Sequence, residues 1–379
     1  MFRKVSLGIL FVLLLIVVGC TNSKKTTTTK NVTTTTINTT TSTTGNTTTT
    51  TTEETTQTVI DMANRQVVIP KNITKVVSNI PSGTMLLYTI DPDILGAWNY
   101  KFNDYEIEYI PEKYRDLPVI GQANKINKES LISLQPDFIL AYNSLSSKEV
   151  DDANQLAHDT GIPVIMIDHS LDKVPDAYRF LKTILISKQS RCEELAQYAE
   201  TALAFANSID IPENKRVKVY YGNGPDSLET VPEGSSHAAL FELLDVYNVA
   251  RDDDIKGETR YTVNPERIIT WMPDVVIVNG EPTEGVSPKQ AVERFLSKED
   301  YQGIPAVQNN RVYAIPKYPF SWFDRPQSAN RLIGIYWLAD LLYDNLPDGM
   351  NIEQETKNFY KLFYHLDLTD EQVDYLLGK

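Results

Sequence analysis

The sequence predicts an α/β fold in which two Rossmann-like lobes are joined by a long bridging α-helix. Three features carry that expectation. Short apolar runs, Phe138–Leu140, Val164–Ile167 and Val275–Val278 among them, alternate with helix-patterned segments, as parallel strands covered on both faces require. One segment recurs. KESLISLQPD (128–137) leads into FIL and PERIITWMPD (265–274) into VVIV, and in both a Glu stands eight residues before an Asp. Between the copies, residues 176–208 contain neither Pro nor Gly and set Leu195, Tyr198, Ala199, Ala202 and Phe205 at helical spacing.

In chain order, Phe2-Arg3-Lys4 precedes the apolar run Leu7–Val18. That run is shorter than the roughly 20 residues of a membrane span and suits an export signal. Gly19 before Cys20 resembles a lipobox, so residues 1–20 are expected to be a lipoprotein signal, with Cys20 lipidated and the chain tethered outside the membrane. Residues 21–58 are dominated by Thr and cannot bury enough apolar surface to offset their ordering entropy, which predicts a disordered tether. Asn31, Asn38 and Asn46 open Asn-x-Thr acceptors there, compatible with a glycosylated stalk on an archaeal cell surface.

The lobes are then 59–175 and 210–379, with the bridging helical region at 176–209. The first is expected to hold strands at 74–77, 95–98, 138–140 and 164–167 and a helix at 148–159. The second is expected to hold strands at 218–221, 275–278 and 312–315 and helices at 238–244 and 291–298. In each repeat the Pro stops a helix and the Asp closes the turn. A last helix is predicted from Pro326 to about Tyr343, with Leu332, Ile335, Ala339 and Leu342 on one face.

The net charge of −14 argues against nucleic acid. With Cys20 lipidated, Cys192 has no disulfide partner and reads as a small buried hydrophobe. Asp252–Asp254 lacks the alternation of a calcium loop and reads as a solvated charged turn.

The order of signal, tether, lobe, bridging helix and lobe, with its paired Glu-to-Pro-Asp segments, resembles the substrate-binding lipoproteins of ABC importers that handle iron–siderophores, haem and cobalamin. The likeness spans roughly residues 70–375, and residues 220–244 and Trp322–Pro326 look like a branch of that family concerned with iron or metal chelates. The resemblance implies a monomer on the extracellular face of the cytoplasmic membrane. It would have no catalysis and no intrinsic cofactor. It would capture an iron–siderophore, haem, a corrinoid or a small nickel or cobalt chelate, and deliver it to an ABC permease dimer driven by a cytoplasmic ATPase. Glu129 and Glu266 match the family's two permease-docking carboxylates.

Open α/β sheets bind ligands beyond the C-terminal ends of their strands. That marks loops 78–84, 99–102, 141–143, 221–237 and 317–325. Trp322, Tyr221, Tyr142, Trp98 and Tyr318 are the expected ring surfaces there. Arg325, oriented by Asp324, suits a carboxylate or catecholate oxygen. By the resemblance, His237 completes the coordination of a metal held in the bound chelate. His169 is a weaker candidate, His158 and His365 read as surface residues, and Arg260 and Arg311 stay open as anion partners.

Three other functions fit the sequence less well. Direct capture of a divalent metal wants three or four convergent His and carboxylate ligands, whereas the four His here are scattered. An extracellular hydrolase would want a G-x-S-x-G elbow or H-E-x-x-H, and neither occurs. A surface adhesion or structural protein suits the Thr tether but leaves the paired Glu segments without a role.

Overall fold

The computed structural model describes residues 37–43, 48–122, 125–252, 259–281, 284–343, 346 and 349–379. Cys20, Asn31, Asn46 and Asp253–Asp254 lie outside them. Two units emerge, residues 1–53 and 54–379. In the first, β1 (Ile37–Thr43) pairs with β2 (Thr48–Glu54). Residues 37–43 and 48–54 of the Thr tract therefore form strands where a disordered tether was expected, because the β-branched Thr side chain favours extended backbone. The second unit begins before residue 59. There β3 (Thr56–Ile60) forms an antiparallel pair with β4 (Gln66–Pro70), across a turn in which the Asp61 carboxylate accepts from the Ala63 and Arg65 amides.

The first lobe runs through β5 (Val76–Ser78), α1 (Pro81–Ile90), β6 (Gly121–Gln122), β7 (Lys125–Ile126), α2 (Lys128–Leu134), β8 (Phe138–Asn143), α3 (Ser147–Thr160) and β9 (Val164–Asp168). Its sheet is parallel, in the order β5-β8-β9. The strand expected over 95–98 shrinks to two single bridges, Val76 to Leu95 and Trp98 to Val119. The chain leaves the sheet edge there, because the Trp98 amide donates to Pro118 and its carbonyl accepts from Ile120.

The bridging region is two helices, α4 (Val174–Ile184) and α5 (Gln189–Asn207), lying along each other. α5 buries Cys192, Ala196, Ala199, Ala202 and Ala206, small side chains that allow close approach. Arg179 ties the pair from outside through Glu193 and Glu200.

The second lobe contains β10 (Lys218–Gly222), β11 (Glu229–Thr230), α6 (Ala239–Leu243), β12 (Tyr247–Asn248), β13 (Tyr261–Thr262), α7 (Pro265–Trp271), β14 (Val275–Val278), α8 (Pro288–Ser297), α9 (Pro305–Gln308) and β15 (Val312–Ala314). Its parallel sheet has the order β12-β10-β14-β15. After it come α10 (Arg331–Leu342), α11 (Ile352–Phe359), a π-turn (Tyr360–Tyr364) and α12 (Asp370–Leu377).

The repeated segment folds the same way twice. Asn127 and Asn264 cap α2 and α7 by accepting from Ser130 and Arg267 amides. Gln135 and Met272 end those helices in the left-handed region, at φ 48° and 49°. After the Pro, the carboxylates of Asp137 and Asp274 accept from the Lys75 and Lys218 amides on the neighbouring strands. Glu129 and Glu266 stand exposed in the first turns of the two helices.

α10 departs from expectation in two ways. It starts at Arg331, because Asn330 is held in a preceding turn by donating to the Phe320 carbonyl. It is also buried on every side rather than along one face, which makes it a core helix. The C-terminal segment packs on the first lobe as well: Tyr88 donates to the Tyr364 carbonyl, and Tyr364 to Asn330 Oδ1. Met85, Tyr88, Leu195, Leu332 and Phe363 share one core, so the lobes are joined by packed side chains as well as by the bridging helices.

Gly334 sets how closely α10 approaches the 318–325 loop, since a Cβ there would overlap the Trp322 carbonyl oxygen. Gly334→Ala is expected to cost at least about 2 kcal/mol in urea unfolding, although Ala is the better helix former.

Candidate ligand site between the lobes

The strand ends of the two sheets meet at a polar cluster. On the second-lobe side, Asp324 is 1% exposed. Its carboxylate accepts from the Tyr221 hydroxyl, at the end of β10, and from His237 Nδ1 at 2.9 Å. Arg325 Nε lies 3.2 Å from the same carboxylate but completes no hydrogen bond. Burial, with Asp324 beside it, holds the Tyr221 phenol well above its ordinary range, so it remains a donor. Ser235 Oγ accepts from the His237 amide and fixes the turn that presents the ring. The His237 side chain keeps 17% exposure. With Nδ1–H bound to a carboxylate, the lone pair sits on Nε2, the arrangement that orients metal-binding histidines.

On the first-lobe side, His169 follows β9, and its carbonyl accepts from Arg331 Nη2 at 2.6 Å, across the interface. Burial and then the Arg331 guanidinium lower the pKa of His169, and His237 is near enough to add to the effect. Tyr142, at the end of β8, meets the His169 ring edge-on at 6.2 Å between centroids. Burial pushes its phenol up to about 12. Arg331 is 2% exposed. It donates to the carbonyls of Ser328 and His169 and has no ion-pair partner among the described residues. Burial lowers its pKa, with Tyr142 and Asp324 close enough to oppose the shift.

Eight buried side-chain polar atoms among the described residues lack a hydrogen bond, and six lie on these loops: Asn79 Oδ1, Tyr142 OH, His169 Nδ1, both amide atoms of Asn223, and Arg325 Nε. Asn223 is near enough to the Tyr221 hydroxyl to interact with it, but the geometry completes no bond. Each such group costs about 1–3 kcal/mol unless a ligand satisfies it. Lys317 adds a second cation without an ion pair among the described residues. Its ammonium donates to the Asn279 carbonyl at 3.2 Å, and burial pushes its pKa down to about 8.

Several sequence expectations give way. Trp322 is fully buried and donates from Nε1 to the Tyr360 hydroxyl, so its ring belongs to the core. Trp98 is likewise buried and donates to the Tyr114 carbonyl. The Tyr221 ring is covered by Phe323, so it serves Asp324. Tyr318 stacks on Tyr109 and Tyr375, away from the cluster. Arg260 is committed to Glu229 and Glu281, and Arg311 donates to the Leu341 carbonyl. Asp252 is bonded to Trp271 and Arg267.

His237, Tyr142, Asp324 and Arg325 do converge. Arg331, Lys317, Asn79 and Asn223 join them without a motif that marks them in the sequence. Arg331 had a signal, as a lone charge opening the apolar run RLIGIYWLA. An open groove beside Val68, Pro136 and Pro163 lies at the other ends of the first-lobe strands. Its one ionisable side chain, Asp137, is bonded to backbone amides. No group of three or more His, Cys, Asp or Glu among the described residues could hold a metal ion alone.

Two α/β lobes that leave partnerless polar groups and cations where their strand ends meet define a solute-binding protein that encloses its ligand. The chain belongs to the periplasmic binding protein family, whose profile matches residues 83–319. It is thus an extracytoplasmic solute-binding protein of an ABC importer, taking a ligand between two lobes for delivery to a permease, and it is not an enzyme. It is 24% identical to the molybdate-binding protein of Haemophilus influenzae over 333 residues, 81% of this chain and 90% of that one. It is 22% identical to a high-affinity haem uptake protein of Staphylococcus aureus over 265 residues, 69% and 84% of the two chains. An ABC transporter solute-binding protein from Sulfurospirillum deleyianum superposes with a TM-score of 0.74 at 28% identity, over 85% of this chain and 99% of that one.

The lowered pKa of Lys317 fixes a sign. Between its folded pKa of about 8 and the ordinary 10.5, the unfolded chain binds the extra proton, so this residue's contribution to stability rises with pH across that window. The difference in unfolding free energy between wild type and Lys317→Met should grow in favour of wild type by about 1–2 kcal/mol from pH 8 to 10.5, allowing for screening at a half-buried site. Paired urea titrations at the two pH values measure it.

Proposed function

We propose that the ligand carries a metal, as a chelate or as a metal-bearing anion, and that His237 Nε2 takes an open coordination position on it. The observation that carries this reading is the buried Asp324 carboxylate bonded to Nδ1, which leaves Nε2 as the available donor. Relatives named for molybdate and for haem support it, since both ligands contain a metal. Iron–siderophores, corrinoids and small nickel or cobalt chelates belong to the same class. Cys20 would hold the protein by its lipid at the outer face of the cytoplasmic membrane. Glu129 and Glu266, on matched helices of the two lobes, would meet the permease dimer, with the ATPase on the cytoplasmic side.

Native mass spectrometry with metal analysis, on protein purified from its own host, should find a bound metal-containing mass. His237→Ala should weaken capture at least tenfold with little change in melting temperature. Persistence of the bound metal species in that variant would overturn the role of His237. Glu129→Ala with Glu266→Ala should abolish uptake in cells while leaving affinity in vitro within about twofold of wild type, as surface charges outside a binding site do.

A further inference from the structure

We propose that the ligand is a compact metal oxyanion rather than a flat chelate, a conclusion that rests on the metal-bearing reading above. A macrocycle or a catechol chelate needs apolar walls on which to lie. Trp98, Tyr221 and Trp322 do not supply them, because each packs on another ring. Trp98 meets Phe102 at 4.8 Å, Tyr221 meets Phe323 at 4.6 Å, and Trp322 meets Tyr360 at 6.3 Å between ring centroids. None of these six rings exposes more than 7% of its residue surface.

What remains at the strand ends is hydrogen-bonding capacity. Among the described residues, the Tyr142 hydroxyl and the Asn223 amide are buried donors without acceptors, His169 Nδ1 is buried without a partner, and Arg325 Nε makes an ion pair with Asp324 but no hydrogen bond. They come from both lobes, so they suit a small ligand with oxygen acceptors on every side.

Charge points the same way. Arg331 is buried against carbonyl oxygens alone. Asp324 and Asp172 act on it only at longer range, and the buried Asp324 is committed to Tyr221, His237 and Arg325. Arg331 is therefore a cation with no ion-pair partner among the described residues, in a poorly solvated place where a directly bound anion gains most. His237 then separates two kinds of oxyanion. A metal centre can accept the Nε2 lone pair as an added ligand, whereas the central atom of sulfate or phosphate cannot.

Isothermal titration of the full-length, detergent-solubilised chain with molybdate, tungstate, sulfate, phosphate, haemin and a ferric tris-catecholate tests this. Molybdate or tungstate should bind at least 100-fold tighter than sulfate or phosphate, and the two chelates should give no saturable signal. Tyr142→Phe removes a hydroxyl that has no internal partner, so the fold should be as stable as wild type or more so, while oxyanion affinity drops about tenfold. Arg331→Met should lose more than 100-fold, and the Tyr142 variant carries the test if that protein does not fold. Tighter binding of haemin or the catecholate than of any oxyanion overturns the oxyanion inference and leaves the metal-bearing reading intact. Equal binding of sulfate and molybdate overturns the metal-bearing reading. No response to any oxyanion, or full affinity in Tyr142→Phe, overturns the inference itself.

Discussion

A carboxylate with almost no access to water must be satisfied by the protein around it, and the second lobe is arranged to do this for Asp324. An unpaired buried charge would cost several kcal/mol. Tyr221 reaches Asp324 from the end of β10, His237 from the turn before α6, and Arg325 from the next residue of the chain. Three segments far apart in sequence are thereby fixed in one geometry. That geometry gives the His237 ring its orientation and tautomer. The aromatic residues around the loop, Trp322 and Phe323 above all, exclude water from this ionic centre and hold it rigid.

The first lobe is built on a complementary plan. Its strand ends offer polar groups that have no protein partner, and α10 drives Arg331 against the His169 carbonyl from the other side. Leaving these groups unsatisfied is destabilising, and a ligand between the lobes relieves it, which couples affinity to lobe closure. The core shared by α1, α5, α10 and the π-turn opposes wide opening. The expected motion is a modest one about packed helices.

The fold was legible in the sequence because its signals were local and repeated. Alternating apolar runs place β9, β10 and β14 within a residue and the start of β8, which runs three residues further, and the duplicated Pro-Asp segment marks corresponding points of the two lobes. The edge strand near Leu95 and the start of α10 are not legible in the sequence, because each is decided by a tertiary hydrogen bond that sequence spacing does not encode. The site was half legible. His237, Asp324, Arg325 and Tyr142 sit on loops that follow strands, where topology alone points. Trp322 misled, because an aromatic cluster beside an Arg has the same composition whether its rings face a ligand or one another. Arg331 is not legible as a site residue because it opens an apolar helix, where a charge gains meaning only from its surroundings in the fold.

The bond between Tyr88 and Tyr364 spans 276 residues. It closes the first lobe with side chains from the end of the chain, so during synthesis α1 emerges long before the residues that cover it. Until Phe363 and Tyr364 arrive, Met85 and Tyr88 lack part of their core, and the first lobe cannot complete its native packing. Contacts this distant in sequence slow folding in general. An early-made first lobe therefore waits on Phe363 and Tyr364, made much later, before its core can close.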